Sequence, residues 1–406
     1  MEFRYICGMK QKRAISSAMM FVFLMGIVSL FADMTHESAR SIYGAYLALA
    51  GASAATIGFV SGLGEFMGYS LRLVMGYVTD KRHNYWGMTI FGYVINLFAI
   101  PAIAVFSQNG WKWACVLIVF ERFGKAIRQP AKNTMVSFAS AQVGQGKAFA
   151  IQEFLDQIGA FSGPLLLFIV MLFRGNGNLF NTYRLCFALL VIPALITLFC
   201  LFRAKHKFPH PEQFEKVNEE HSKLSLNKNF WIYNIAISLF AFGFLDFPLI
   251  TMHVSKLSIM PQTYLPLLYA VAMFVDAFAA LLFGWMYDKY GMRVLMLSNL
   301  LAAGFVALIF MTHSVTGIVL GVILWGIGMG AQESILKSAV ATLVPKQNRS
   351  MGFGLFETLF GVFWFIGSWV LGILYDYSIV VMVVVSVATQ LLSIPLLATI
   401  SGKKRI

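Results

Sequence analysis

"RAKHKFPHPEQFEKVNEEHSKLSLNK", residues 203–228, is the only long hydrophilic segment in a chain of 406 residues. On both sides of it the sequence is built from apolar runs, and one bilayer crossing needs about 20 mostly apolar residues. Such runs fall near 15–45, 54–79, 86–107, 111–135, 147–173 and 182–203, and then near 229–255, 262–287, 292–313, 315–342, 350–375 and 377–400. Six precede the segment and six follow it. The reading is an all-α membrane protein of twelve transmembrane helices. It divides into an amino-terminal six-helix bundle (1–203), a cytoplasmic linker (204–228) and a carboxy-terminal six-helix bundle (229–406). The first run is too long for one straight crossing, which predicts a kink or a loop at its outer end.

Composition agrees with this. The chain is 59% hydrophobic and 12% charged, half the charge of an average soluble protein, which is about 25%. Its mean hydropathy is +0.74. The formal charge of +13 could suggest nucleic acid, but no basic tract interleaves with a polar fold. The excess instead marks the inner face of a plasma membrane, where Lys and Arg accumulate. Lys10, Lys12 and Arg13, then Lys205, Lys207, Lys216, Lys223 and Lys228, then Lys403, Lys404 and Arg405 place both termini and the linker in the cytoplasm. The opposite loops hold few basic residues, chiefly Lys112, Arg174 and Arg184. The basic amino terminus lacks a small-residue cleavage site after its long apolar run, so it reads as a retained first span.

Cys7, Cys115, Cys186 and Cys200 are scattered and read as free thiols. His206, His210 and His221 in the linker lack an accompanying Cys or acidic cage and read as solvated side chains rather than metal ligands. Neither H-E-x-x-H nor G-x-S-x-G occurs, which argues against an enzyme, and no Walker motif points to ATP hydrolysis. No cofactor is expected. The expected partners are a small solute, protons and the bilayer, with the chain acting as a monomer.

The two halves repeat. "GYVTDKR" (76–82) ends the second span and "GWMYDKYGMR" (284–293) ends the eighth, so that Gly76 and Asp80 match Gly284 and Asp288. "SLFA" at 29–32 recurs at 238–241, which lays Glu37 over Asp246. Phe149 and Glu153 fall on Phe353 and Glu357. Three matches at nearly constant offset argue for internal duplication. Two bundles so related would enclose a site at their interface near the membrane midplane.

These motifs resemble those of the major facilitator superfamily. The loops at Gly76, Asp80, Lys81 and Arg82 and at Gly284, Asp288, Gly291 and Arg293 resemble its gating loops. The second copy fits well, while the first has His83, Asn84 and Tyr85 where the pattern has a glycine and a final basic residue. "ERFGKAIRQP" (121–130) resembles the fourth-span motif R-x-x-Q-G, with Arg122 in the arginine position and Lys125 and Ala126 in place of Gln and Gly. "GAFSGPLLLF" (159–168) resembles the fifth-span hinge motif of proton antiporters, keeping Gly159, Gly163 and Pro164 but losing the final glycine pair. The resemblance covers essentially the whole chain. It implies two pseudo-symmetric six-helix bundles and secondary transport, and it is silent on the solute.

The charged residues inside the spans are the candidate site. Even a mild scale places a lone Asp, Lys or Arg at a helix centre about 2.5–3.5 kcal/mol uphill, so each needs a cavity or a partner. In "FADMTHESAR" (31–40), Asp33, His36, Glu37 and Arg40 lie on one helical face after sixteen uncharged residues, 14–29. Glu65 and Arg72 share a face of the second span, with Tyr69 between them. Glu121 and Arg122 fall near midplane in the fourth, and Glu153, Asp156 and Gln157 share a face of the fifth. Asp246, Asp276, Glu333 with Lys337, and Glu357 lie in the second half.

Bland readings stand beside these. Glu37 and Arg40 could form an interfacial pair at the outer surface. Asp80 and Asp288 could cap or pair within loops. Lys125, Arg128 and Lys132 could snorkel, or could form an anion-attracting entrance. Glu333 and Lys337 read as a structural pair.

A carboxylate in a low-dielectric cavity holds its proton more tightly until an arginine approaches. Asp33, Glu37, Arg122 and Asp156 are therefore the expected proton-coupling groups. His36, Arg40, Arg72, Glu121, Lys125, Glu153, Gln157, Asp246, Asp276 and Glu357 are the expected solute-binding groups. The expected function is a proton-coupled transporter of a small organic solute, with a lean towards an anionic metabolite from Arg72, Arg122 and Lys125, exporting by antiport. Proton symport for uptake, a lipophilic cation as the solute, and a non-transporting sensor with the same fold are the alternatives.

Overall fold

The computed structural model describes residues 16–174, 177–214, 227–344 and 349–401. The amino-terminal half comprises α1 (Ser17–Leu49), α2 (Ala54–Arg82), α3 (Tyr85–Ala102), α4 (Trp111–Val143), α5 (Gln145–Arg174), α6 (Leu179–Leu189) and α7 (Val191–Lys207). The second half comprises α8 (Lys228–Gly243), α9 (Phe247–Lys256), α10 (Leu265–Tyr290), α11 (Met292–Met311), α12 (Val315–Leu343), α13 (Arg349–Tyr377) and α14 (Ile379–Ser401). With α6–α7 and α8–α9 each forming one broken crossing, these are the twelve spans. Residues 215–226 of the linker lie outside the described set.

Helix starts follow local chemistry. Ser16, Ser53, Asn84, Asn178, Asn227 and Ser314 each accept a backbone N–H of the helix that follows, satisfying an otherwise orphaned donor. Among the described residues, ten segments are long and apolar enough to cross a membrane by length and composition alone. The two long helices outside that set are α2 and α4, whose charges (Glu65 and Arg72; Glu121, Arg122, Lys125, Arg128 and Lys132) interrupt the apolar run. Glu65, Glu121, Arg122, Arg128 and Lys132 are buried, so low hydropathy here marks faces turned to the protein interior.

Three expectations are corrected. The first helix does not become a loop at its outer end: α1 runs unbroken for 33 residues. The seventh crossing is not one helix. It stops at Gly243 and restarts at Phe247, with Asp246 as the new N-cap and Pro248 in the first turn. Unwound backbone within a bilayer must find protein partners. Here Ser386 and Gln390 of α14 donate to the Gly243 carbonyl, and Trp325 Nε1 of α12 donates to Leu245 O at 2.9 Å. Finally, Asp80 and Asp288 do not lie in loops; they occupy the last turns of α2 and α10.

The duplicated ends differ in an informative way. His83 stands where the second copy has Gly291, and both have positive φ, 49° and 62°. His83 has ψ 22°, the left-handed helical basin that a side chain tolerates at a cost. Gly291 has ψ −143°, a basin essentially reserved for glycine. This explains how the first copy lost its glycine while the second kept it.

The bundles meet most tightly at the end away from the linker. A Cβ on Gly44 of α1 would overlap the Pro248 carbonyl of α9, so these helices pack backbone to backbone. Across the same end Asp376 of α13 accepts from the first amides of α2, Ala54 N at 3.3 Å and Ala55 N at 2.9 Å. A carboxylate on a helix N-terminus is electrostatically favourable. Towards the linker end, contact continues along α2–α13 and α5–α10.

Gly291→Ala is expected to lower stability by about 1–3 kcal/mol. His83→Gly, which removes a side chain from the left-handed basin, is expected to change stability by less than about 1 kcal/mol, in the stabilising direction. Thermal unfolding in detergent measures both. Equal destabilisation by the two substitutions would contradict this account.

Candidate functional site

The α1 stripe faces the protein interior. His36 and Arg40 are 4% and 5% exposed, and Asp33 and Glu37 are half-buried. The stripe is held there by α5, whose Gly159 and Gly163 would overlap the Leu30 and Met34 carbonyls if either carried a Cβ. The fifth-span motif is thus the groove in which α1 lies, and Pro164 sits inside an unbroken α5.

Arg40 is not an outer-surface partner of Glu37. Its Nη2 lies 2.5 Å from Asp246 Oδ1 across the bundle interface, while Nη1 is 3.9 Å from Glu37 Oε2. The duplication-related acids Glu37 and Asp246 therefore flank the same guanidinium. Asp246 is fully buried and fully used. Besides Arg40 it accepts from Ser61 Oγ of α2 and from the Phe247 N–H at 2.9 Å, the latter as the cap of α9.

The pair belongs to a continuous network. Glu65 Oε1 lies 3.7 Å from Arg40 Nη2 and accepts from Arg122 Nη2 at 2.5 Å. Arg122 Nε is 3.7 Å from Glu121 Oε2. Asn96 of α3 donates to Glu121 Oε1, and His36 Nδ1 lies 3.0 Å from the same oxygen. His36 Nε2 is 3.7 Å from Glu37 Oε1, and Tyr269 of α10 donates to Glu37 Oε2 at 2.5 Å. Trp325 of α12 lies beside Arg40, 6.0 Å from ring centroid to guanidinium carbon. Four carboxylates (Glu37, Glu65, Glu121, Asp246) thus surround two guanidiniums (Arg40, Arg122), with one imidazole between acids. Asp246 and Tyr269 are the second bundle's contribution, so the network is also a tie between bundles.

Other expected residues lie around this centre. Arg72 pairs with Glu357 of α13 at 4.0 Å and covers the Tyr69 ring at 4.9 Å; it does not pair with Glu65. Arg128 and Lys132 do not snorkel. Both are buried, Arg128 over the Tyr93 ring at 4.2 Å and Lys132 donating to Ser29 Oγ. Asp33 is an electrostatic neighbour of Lys125 and of Asp156, and Lys132 also acts on Asp156. Gln157 joins α5 to Asp276 of α10 at 3.1 Å and reaches Glu333 of α12 at 3.4 Å. Glu153 is exposed on α5, 3.4 Å from the same amide.

The gating-motif residues stay apart from the centre. Lys81, Arg82, Asp288 and Arg293 are exposed. Gly76 and Gly284 face Pro130 and Ser334 at ordinary contact distance. The side chains of Asp80 and Lys337 lie outside the described set. Among the described residues no cluster of His, Cys, Asp or Glu has the makings of a metal site.

The sequence reading named Glu65 among the charged span residues but gave it no role, and it left out Ser61, Asn96 and Tyr269. The other three are ordinary span residues whose partners lie far away in sequence, and only the fold identifies them.

Removing one partner of a buried ion pair costs about 3–5 kcal/mol, because the other charge is left uncompensated. Arg40→Met is expected to lose about that much stability. Adding Asp246→Asn, which keeps the α9 cap, is expected to restore most of it. Denaturant unfolding of the single and double variants in micelles reads the coupling, and simply additive losses would disprove it.

Comparison with known proteins gives the family. The Major Facilitator Superfamily model matches residues 14–368 and again 247–402. An uncharacterized protein of Mycobacterium tuberculosis is 35% identical over 391 residues, 95% of this chain and 93% of the relative. An uncharacterized MFS-type transporter of Methanocaldococcus jannaschii is 24% identical over 363 residues, 88% and 89% of the two chains. Among solved structures, the nucleoside transporter NupG superposes with a TM-score of 0.71 at 15% identity, covering 95% of this chain and 100% of that one. A D-xylose–proton symporter superposes with a TM-score of 0.73 at 13% identity, covering 97% and 100%. These two likenesses establish a shared fold. Together with the two bundles and their buried polar interface, the family match makes this a multi-pass membrane protein and a secondary transporter: the chain belongs to the Major Facilitator Superfamily.

Proposed function

We propose that this transporter is proton-coupled and exports a small organic solute by antiport across the inner membrane, with both termini and the linker in the cytoplasm. The observation that carries the coupling is the composition of the central network: four carboxylates, three of them buried and Glu37 half-buried, share two guanidiniums and an imidazole. Such a network has spare capacity for a proton, and low dielectric raises the stakes of each charge in it. Because Asp246 and Tyr269 come from the second bundle, protonating an acid here weakens the tie that holds the far end shut. That links proton uptake to rocking. The fifth-span glycines, which seat the charged helix α1, support the antiport reading through their resemblance to antiporter motifs.

Two of the three cations behind the lean towards an anionic solute, Arg122 and Arg72, have internal acid partners. Arg122 lies 2.5 Å from Glu65 and Arg72 4.0 Å from Glu357, so an anion would have to displace an internal carboxylate from each.

Purified protein in liposomes with a trapped pH dye and an imposed pH gradient tests this reading against pooled solutes. One pool is expected to collapse the gradient with wild type and to fail with Glu37→Gln, with protons and solute moving in opposite directions. Co-directional movement would make the protein a symporter. Solute equilibration without proton movement would overturn coupling altogether.

A further inference from the structure

His36 is a buried imidazole between two acids. Its Nδ1 lies 3.0 Å from Glu121 Oε1 and its Nε2 lies 3.7 Å from Glu37 Oε1. Both nitrogens are buried, and neither makes an aligned hydrogen bond in this arrangement. The other charged groups acting on the ring are Arg40 from its own helix and Arg122 and Lys125 from α4. A neutral imidazole has one donor and one acceptor, whereas a carboxylate only accepts. With both acids ionised, one ring nitrogen therefore turns its lone pair on a carboxylate, in a site where low dielectric magnifies the mismatch. One added proton gives every one of these atoms a partner. The three cations repel a charge on the ring, which leaves that proton to an acid. The two acids differ in their other contacts. Glu37 is half-buried, accepts from Tyr269 of the second bundle at 2.5 Å and has Arg40 3.9 Å away. Glu121 is buried, and its other polar neighbours, Asn96 and Arg122, both belong to the first bundle.

We infer that Glu37, His36 and Glu121 hold one transferable proton between them, and that His36 relays it from the bundle interface into the first bundle. In the relay the Glu37 carboxyl gives its proton to Nε2 while Nδ1 gives its own to Glu121 Oε1. Glu37 is left as a carboxylate and Glu121 as the acid, and the ring stays neutral with its hydrogen on the other nitrogen. The Glu121 side is already at transfer distance, and a turn of the ring or of the Glu37 side chain closes the other. A proton on Glu37 discharges the acid that Tyr269 reaches from the second bundle. Once relayed to Glu121, it is held wholly inside the first bundle and Glu37 recovers its charge. His36 thereby belongs to the proton path rather than to the solute. The relay's part in transport rests on the proposed proton-coupled reading, but the shared proton is measurable without any solute.

Infrared spectra of the full-length protein in lipid nanodiscs, recorded across pH, read the carboxylic-acid C=O stretch. Glu37→Gln, Glu121→Gln and the double variant are each expected to lose the same amount of that band, because an amide in place of either acid satisfies the ring without the proton. Separate losses that add up in the double variant, or no loss at all, would overturn the shared proton. If an acid variant does not fold, nitrogen NMR of histidine-labelled protein reads the ring directly, with His36 identified by its absence from His36→Gln. Hydrogen-bonded shifts at both ring nitrogens are expected there, and a free acceptor nitrogen would overturn the trio. In the liposome dye assay, His36→Gln can bridge the acids but cannot pass a proton. With the pool that wild type couples, its proton movement is expected to fall at least about tenfold, and an undiminished rate would overturn the relay. A shared proton in a wild type that moves no protons with any pool would sink the transport reading and leave the trio standing. Proton-coupled transport with additive band losses would do the reverse.

Discussion

A fully buried carboxylate between two membrane-embedded bundles must be neutralised or the fold fails, and Asp246 is that carboxylate. The α8–α9 break exposes backbone that lipid cannot satisfy, and the same break turns Asp246 towards the other bundle. Arg40, Ser61 and the α9 amide then meet its oxygens. Helix interruption, charge compensation and bundle contact are therefore one solution to one constraint. The remaining acids assemble around it because the arginines that serve Asp246 and Glu65 must themselves be fixed in place.

This arrangement suits alternating access. The strong contacts at the far end are a backbone-to-backbone approach at Gly44, the Asp376 cap on α2 and the Arg40–Asp246 pair nearby. Each joins one bundle to the other, so each must part when that end opens. The Asp376 cap sits on an exposed helix terminus, where water replaces it at little cost. The Arg40–Asp246 pair is buried, and separating it leaves two charges that need new partners or a proton. On the proposed reading, the energetic control of opening lies with the buried pair.

Much of this was legible in the sequence. The twelve spans follow from hydropathy, and the charged stripe from 33 to 40 stood out because bilayers exclude such residues. The break before Phe247 carried its own signals, Gly243 as a stop and Asp246 with Pro248 as a start. They were masked by apolar residues on both sides. The partners could not be read. A lone arginine announces that it needs an acid, but the choice of Asp246 for Arg40, or Glu65 for Arg122, depends on how two bundles dock. The same blindness left Lys132 as either a snorkelling anchor or part of an anion-attracting entrance, and Arg72 as a candidate solute ligand.

The account's central claim is that protonation at the Arg40–Asp246 pair governs opening of the far end. Electron–electron distance measurements between spin labels at Asn109 and Tyr377, both exposed at that end, test it in lipid nanodiscs at acidic and alkaline pH. The account predicts that acidification shifts wild type to longer distances, and that Asp246→Asn shows the long distances at both pH values. An Asp246→Asn protein with the same pH-dependent shift as wild type would contradict it.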